Sequence, residues 1–160
     1  MVELKGPGTR RVILAKPRPK VARATTTLEE PEQVTQLYAA LLERVRALPG
    51  VTHAGVIRSL PLAAQIGDWG LMVEGYVPPP GTHAKGDWQV ASDGALEALG
   101  ERLVRGRLFT RADSADGEQV ALVNETMART YWPGEDAIGK RLRQMSGTDR
   151  PWVTVVGGHS

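Results

Sequence analysis

The stretch that decides the fold is Gln119–Leu142, QVALVNETMARTYWPGEDAIGKRL. Val120 to Val123 are consecutive apolar residues, which predicts a buried strand, and Asn124 after them is a natural N-cap for a short helix. That helix carries Met127, Ala128 and Tyr131 on one face and stops at Trp132-Pro133-Gly134. Asp136-Ala137-Ile138-Gly139 reads as a glycine-ended turn that delivers the chain to a basic strand, Lys140 to Arg143. Strand, cap, helix, aromatic anchor, turn and strand follow one another without a spare residue. None of them is a reactive constellation.

Outward from this module, the clearest periodicity lies earlier in the chain. Val34, Leu37, Tyr38, Leu41, Leu42, Val45 and Leu48 recur at steps of three and four, forming one apolar stripe of a helix. Glu29 and Glu30 load its start with negative charge, Pro31 suits the first helical position, and Pro49-Gly50 ends it. About 18 residues at 1.5 Å each make it roughly 27 Å long. Val51 to Ile57 then alternates and predicts a strand entered directly from the helix, hence a layered packing of helix on sheet. Trp69 to Tyr76 and Asp87 to Ala91 predict an antiparallel hairpin, with Pro78-Pro79-Pro80-Gly81 as a stiff extended connector. Ser92 or Asp93 caps a short helix from Gly94 to Leu99, which Gly100 ends. Leu103-Val104 is a brief strand, Phe109 packs the chain back, and Trp152 to Val156 is a last buried strand. Near the start, Val12 to Ala15 reads as a short strand that Pro17 and Pro19 stop.

Composition narrows the class. The chain has 160 residues, 41% hydrophobic and 24% charged, as in an ordinary globular protein of one domain or two small subdomains. Residues 1–25 hold seven Lys or Arg against the single Glu3, a net of +6, so the remainder carries −4 of the total +2. Such a basic arm can touch phosphate or an anionic partner, and a solvated terminus accounts for it equally. Cysteine is absent, which excludes disulfides, thiolate zinc sites and cysteine nucleophiles. No stretch approaches the roughly 20 apolar residues of a membrane helix. Val12-Ile13-Leu14-Ala15 is too short for a signal-peptide core, so no leader is expected.

Candidate chemistry is thin. Gly6-Pro7-Gly8 is not a phosphate loop, because Pro7 lacks a donor and no helix follows. No nucleophile elbow and no pair of histidines at metal-ligand spacing is present. His53 reads as a surface strand residue, His83 lies in a Pro/Gly loop and His159 is penultimate, so none has the rigid support that acid–base work needs. Asp113, Asp116 and Glu118 suggest a calcium loop without its alternation or closing Glu. Arg102, Arg105, Arg107 and Arg111 can bind an anion, but Glu101 and Asp113 flank them and no aromatics are interleaved for nucleic acid, so local salt bridges are expected. No catalytic, cofactor-binding or metal-ligating residue is assigned, and no cofactor or nucleic-acid partner is expected. The residues point to a non-catalytic binding or mechanical domain.

Three stretches resemble one family, the extracytoplasmic core domain of MacB-like (MacB/FtsX-type) ABC transporter permeases. They are LLERVRALPGVTHAGVIRSLPL (41–62), LEALGERLVRGRLFTRAD (96–113) and the module VALVNETMARTYWPGEDAIGKRL; with GDWGLMVEGY and WVTVVGG they cover most of residues 28–157 in the family's order. The resemblance implies an α+β fold, a porter-like β-α-β layer with an inserted smaller α/β subdomain. On that reading residues 1–24 are a basic flexible arm, 25–62 begin the porter-like subdomain, 63–91 form the hairpin and its Pro-rich loop, 92–145 are the inserted subdomain, and 146–160 return a strand. It implies a domain outside the cytoplasmic membrane that is not an enzyme. Its implied partners are the parent's membrane segments, a cytoplasmic ATPase and a periplasmic partner protein. The chain departs from the family pattern in its basic arm, in Ala95 where an aromatic is usual, and in stopping soon after its last strand. It therefore reads as a fragment, incomplete at the C-terminal end, with self-association expected through the unpaired side of the sheet holding Val51 to Ile57.

Overall fold

The computed structural model describes residues 11–15, 31–59, 68–113, 117–146 and 150–160, the side chains of 11–15, Pro31 and Glu32 excepted. In chain order the elements are β1 (Arg11–Ala15), α1 (Pro31–Arg46), β2 (Asp68–Val73), β3 (Ala84–Ala91), α2 (Ala95–Ala98), β4 (Leu103–Gly106), β5 (Val120–Asn124), α3 (Glu125–Tyr131), β6 (Arg141–Gln144) and β7 (Val153–His159). Helices packed on one mixed sheet make the fold α+β, as the sequence implies.

The order of the sheet is β4-β7-β5-β1-β3-β2-β6, and β6 also pairs with β7. Six strands thus close a ring, with β4 added alongside β7. β1–β3 and β5–β7 are parallel pairs and the rest antiparallel. β2 and β3 lie side by side in this sheet between β1 and β6, and β2, β3, β5 and β6 share one core. β1 occupies the place between β5 and β3, so Arg11–Ala15 is ladder rather than free arm; the rest of residues 1–24 lies outside the described residues.

The module Gln119–Leu142 folds as its sequence implies. Asn124, in extended conformation, accepts the Met127 amide at 3.0 Å through Oδ1 and so caps α3. Met127, Tyr131 and Trp132 are buried with Leu71, Val73, Trp88, Val123, Leu142, Val153 and Val155 in the main core. The Tyr131 hydroxyl donates to the Lys85 carbonyl and accepts its amide, both at 2.7 Å, which fixes the first turn of β3 against α3. Trp132 Nε1 donates to the Glu74 carbonyl at 3.2 Å, so its polar edge is satisfied while its rings are buried.

A second, smaller core lies on the other face, where Leu96 and Phe109 meet Ala91, Val120 and Leu122. β7 passes close under the chain here. A Cβ at Gly157 would run into the Arg107 carbonyl oxygen, so this position needs glycine for close approach.

Three expectations fail. Val51 to Ile57 is not a strand; Ile57 makes one isolated bridge to Ala91. Its backbone groups are taken elsewhere: Arg46 binds the Ala54 carbonyl, Ser92 Oγ accepts the Val56 amide at 2.8 Å, and Arg58 N donates to Val90. The self-association expected through that strand therefore loses its surface. α2 has no side-chain cap: Gly94 stands at its N-cap with φ 77°, and it is the Ser92 carbonyl that receives the Ala95 amide. His159 is not a loose penultimate residue but a buried member of β7, 2% exposed, with Nδ1 3.3 Å from Glu101 Oε2.

Asn124→Ala should lower stability by about 1 kcal/mol, the usual loss for a capping side chain. Trp132→Ala should cost about 3–5 kcal/mol, because a large buried aromatic is removed. Urea unfolding measures both, and equal losses at the two positions would contradict the placement of Trp132 in the core.

Candidate functional site

α1 is where sequence and structure part most sharply. Its stripe has the period of a core-facing helix, yet Leu37, Tyr38, Leu41 and Leu48 are 52%, 43%, 49% and 57% exposed. Among the described side chains of α1 only Leu42 is buried, with Val34, Val45 and Arg46 half-buried, and the Arg46 contacts with the body lie at its C-terminal end. The contact there is polar. Arg46 donates to the Ala54 carbonyl through Nε (3.1 Å) and Nη2 (2.7 Å), and Nη2 also reaches the Asp93 carbonyl at 2.7 Å. Its Nη1 lies 3.0 Å from Asp93 Oδ2. One guanidinium fork thus ties α1 to the 51–54 segment and to the turn before α2.

Gly94 makes room for this latch. Its φ of +77° lies in the left-handed region, and a Cβ there would sit 2.6 Å from the Ala54 carbonyl oxygen and 3.0 Å from Arg46 Nη2. Beside the latch opens a cleft of about 330 Å³, lined by Arg46, Thr52, His53, Glu97, Phe109 and Arg111. Arg111 reaches Glu43 at 3.7 Å and Asp93 at 3.9 Å; with Arg111 and Glu43 each 69% exposed, their pair adds little.

Arg105, Arg107, Asp113 and Glu118, singled out in the sequence, are spent locally. Arg107 makes a bidentate pair with Asp113, both N–H···O contacts at 2.8 Å, and Asp113 also accepts the Thr110 amide and hydroxyl. The Arg107 guanidinium, and then the Thr110 donors, hold the Asp113 carboxyl below the usual carboxylate range against the opposing effect of burial. Arg105 pairs with Asp136 at 3.3 Å, and Glu118 accepts the Thr154 hydroxyl at 2.6 Å. Asp113 and Glu118 therefore already have partners within the fold, and Asp116 lies outside the described residues. The Glu74 carboxyl is lowered as well, by its hydrogen bond and charge pairing with Arg141, and neither it nor Asp113 lines the cleft. His53 is exposed in the irregular segment and His83 is exposed beside β3, so the structure brings no two of the three histidines together. Among the described residues no group of three or more His, Cys, Asp or Glu is placed to hold a metal ion. Among them, too, no helix is long and apolar enough to cross a membrane.

The sequence model of the MacB-like periplasmic core domain matches residues 7–158, nearly the whole chain. The chain belongs to the MacB-like periplasmic core domain family. The match begins within the basic arm, so that stretch is part of the family domain and not a departure from it. Solved structures similar to this MacB-like domain include the periplasmic region of MacB from Actinobacillus actinomycetemcomitans, at 17% identity over 74% of this chain and 50% of that one, with a TM-score of 0.48. Another is a domain of a protein assigned as a permease from Porphyromonas gingivalis, at 22% identity over 70% of this chain and 40% of that one, with a TM-score of 0.47. The chain spans half or less of these structures. No curated protein matches it.

In this MacB-like domain the latch was hidden from sequence reasoning because Arg46 looked like one more charge on the helix's polar side. The Asp93-Gly94 pair, a turn signal followed by a helix, was the available clue.

Arg46→Met should free α1 while leaving the core intact: hydrogen exchange of the α1 and 51–56 amides should quicken, with β5 and β7 amides unchanged. Uniform loss of protection would show that the latch supports the whole fold. Asp113 yields a pH signature. Its folded pKa is depressed, so its contribution is full above the unfolded value of about 4 and is lost as pH falls through the folded value. Asp113→Asn should cost about 2 kcal/mol at pH 7 and should flatten the acid limb of a stability–pH curve.

Proposed function

We propose that this domain is the non-catalytic extracytoplasmic part of an ABC transporter permease, relaying conformational change through protein contacts. Family membership supports the location and the parent class. The single observation that carries the relay role is α1, pinned at one end by Arg46 and presenting Leu37, Tyr38 and Leu41 outward, with Leu48 exposed in the turn after it. An amphipathic helix held in this way is suited to lie against another part of the parent permease and to transmit its displacement through the latch to the sheet. ATP hydrolysis belongs, on this reading, to a cytoplasmic ATPase, and the membrane segments to the parent protein. The division into a porter-like part (25–62) and an inserted part (92–145) is proposed on the same ground, with α1 in the first and α3 in the second.

Val77 is 87% exposed and the chain has no cysteine, so Val77→Cys supplies one addressable thiol. In spheroplasts expressing the parent protein, a membrane-impermeant maleimide should label it without lysis. Labelling only after lysis would place the domain inside and end the proposal. Leu37→Asp with Leu41→Asp should leave the isolated domain's melting unchanged and lower ATP turnover of the assembled transporter in proteoliposomes. Unchanged turnover would remove α1 from the relay.

A further inference from the structure

The outer face of β2, β6 and the entry to β7 carries a second surface that the α1 reading does not use. Alternation along these strands sends Leu71, Val73, Leu142 and Val153 into the core and leaves Met72, Arg141, Arg143 and Trp152 on the other side. Met72 and Arg143 are directly opposed across the β2–β6 ladder. Met72 is 42% exposed, and Met145, just past β6, is 51% exposed. The Trp152 ring lies under both arginines, with Arg143 Cζ 4.9 Å and Arg141 Cζ 5.6 Å from its centroid.

The two arginines differ in one respect. Arg141 makes a close ion pair with Glu74, and on the same face Lys85 pairs with Asp68 at 3.2 Å. Arg143 has no carboxylate among the described residues. Its Nη2 reaches only the Met72 sulfur at 3.3 Å, a weak acceptor, and its Nε is shut off from solvent with no acceptor at all among those residues. The Nε–H has surrendered water without gaining an acceptor, while the rest of the half-buried guanidinium stays open to a carboxylate. Around it stand Trp and Met side chains, the types enriched with Arg at protein interfaces.

We propose that this face docks an acidic protein segment, with a carboxylate paired to Arg143 and neighbouring apolar side chains resting on Trp152, Met72 and Met145. Charge complementarity fixes the sign of the partner: Glu74 and Asp68 are paired to Arg141 and Lys85, whereas Arg143 has no carboxylate beside it among the described residues. The flanking thioethers and indole select an apolar-flanked carboxylate over a bare anion, because they gain from burial only against carbon. The bidentate geometry of a guanidinium suits a carboxylate approaching in its plane. This inference rests on the outer face of the sheet alone and does not depend on the permease reading.

The test is a titration of the ¹⁵N-labelled full chain with the peptide acetyl-Leu-Asp-Leu-Asp-Leu-amide, followed by NMR of the Arg143 Nε–H and Trp152 indole N–H signals. Both should shift saturably. The peptide with Asn in place of Asp should bind at least about tenfold more weakly, the order expected for one charge-assisted contact. Arg143→Gln should weaken binding to the same degree. Met72→Glu, at an exposed position opposite Arg143, should abolish binding by supplying the carboxylate internally, and it keeps the test open if Arg143→Gln does not fold. Equal binding of the Asp and Asn peptides would overturn the proposal. So would association with phosphatidylglycerol vesicles without peptide binding, which would make this a lipid-facing surface. Asp149 lies outside the described residues; an Arg143 Nε–H signal that moves in Asp149→Asn without peptide would reveal an internal partner and overturn it as well.

Discussion

Strand β7 has to serve three neighbours along seven residues, and the rest of the sheet depends on how it does so. Its first residues pair with β6, its last with β4, and its other edge runs parallel to β5 throughout, with an irregularity between Ala121 and Leu122. The register shift turns the strand over: Val153 and Val155 face the main core, while Gly157 and His159 face the chain that follows α2. The adjacent glycines Gly157 and Gly158 lie where this happens, and the first of them leaves space for Arg107. With β7 in place the ring through β5, β1, β3, β2 and β6 closes, which leaves few unpaired edges.

The two faces of that sheet are covered by different means. α3 covers one with Met127, Tyr131 and Trp132, three large buried side chains whose polar atoms, where they have any, are bonded to strand backbone. The other is covered by α2, Phe109 and the irregular 51–58 segment, which side-chain hydrogen bonds from Arg46 and Ser92 and a single backbone bridge to the end of β3 hold in place instead of a full strand ladder. α1 hangs from this second layer by Arg46. The apolar burial that would hold a helix of this pattern is reduced to Leu42 with Val34 and Val45 half-buried, and a charged fork supplies much of the holding. Such a joint resists separation but tolerates rotation better than interdigitated side chains do.

Sequence reasoning succeeded where one local signal settled one local structure. Asn124 before a helical run, Pro133-Gly134 after it and four apolar residues ahead of it fixed the β5–α3–β6 module to within a residue or two. The antiparallel pairing of β2 and β3 was legible too, although β2 ends three residues earlier and β3 begins three residues earlier than the alternation suggests. The strand at Val51–Ile57 was misread because alternation says nothing about whether a ladder partner is present; Arg46 and Ser92 bind the backbone groups that pairing needs. His159 was misjudged because position near the end of a sequence carries no information about position in a sheet.

The same division holds for the surfaces. Periodicity determined that α1 has an apolar face, and the pleat of β6 turns Arg141 and Arg143 away from Leu142 and the core. That is a property of backbone geometry, with 3.6 residues to a turn and two to a pleat. Whether an apolar face is covered, or a cation paired, depends on which distant segments arrive beside it. The pair of Arg107 with Asp113 was expected from their nearness in the sequence. The tertiary structure alone decided that Arg141 and Arg46 meet Glu74 and Asp93, while much of the α1 stripe stays exposed and Arg143 meets no carboxylate among the described residues. Local sequence sets the direction in which a side chain points, and long-range packing sets what it meets there.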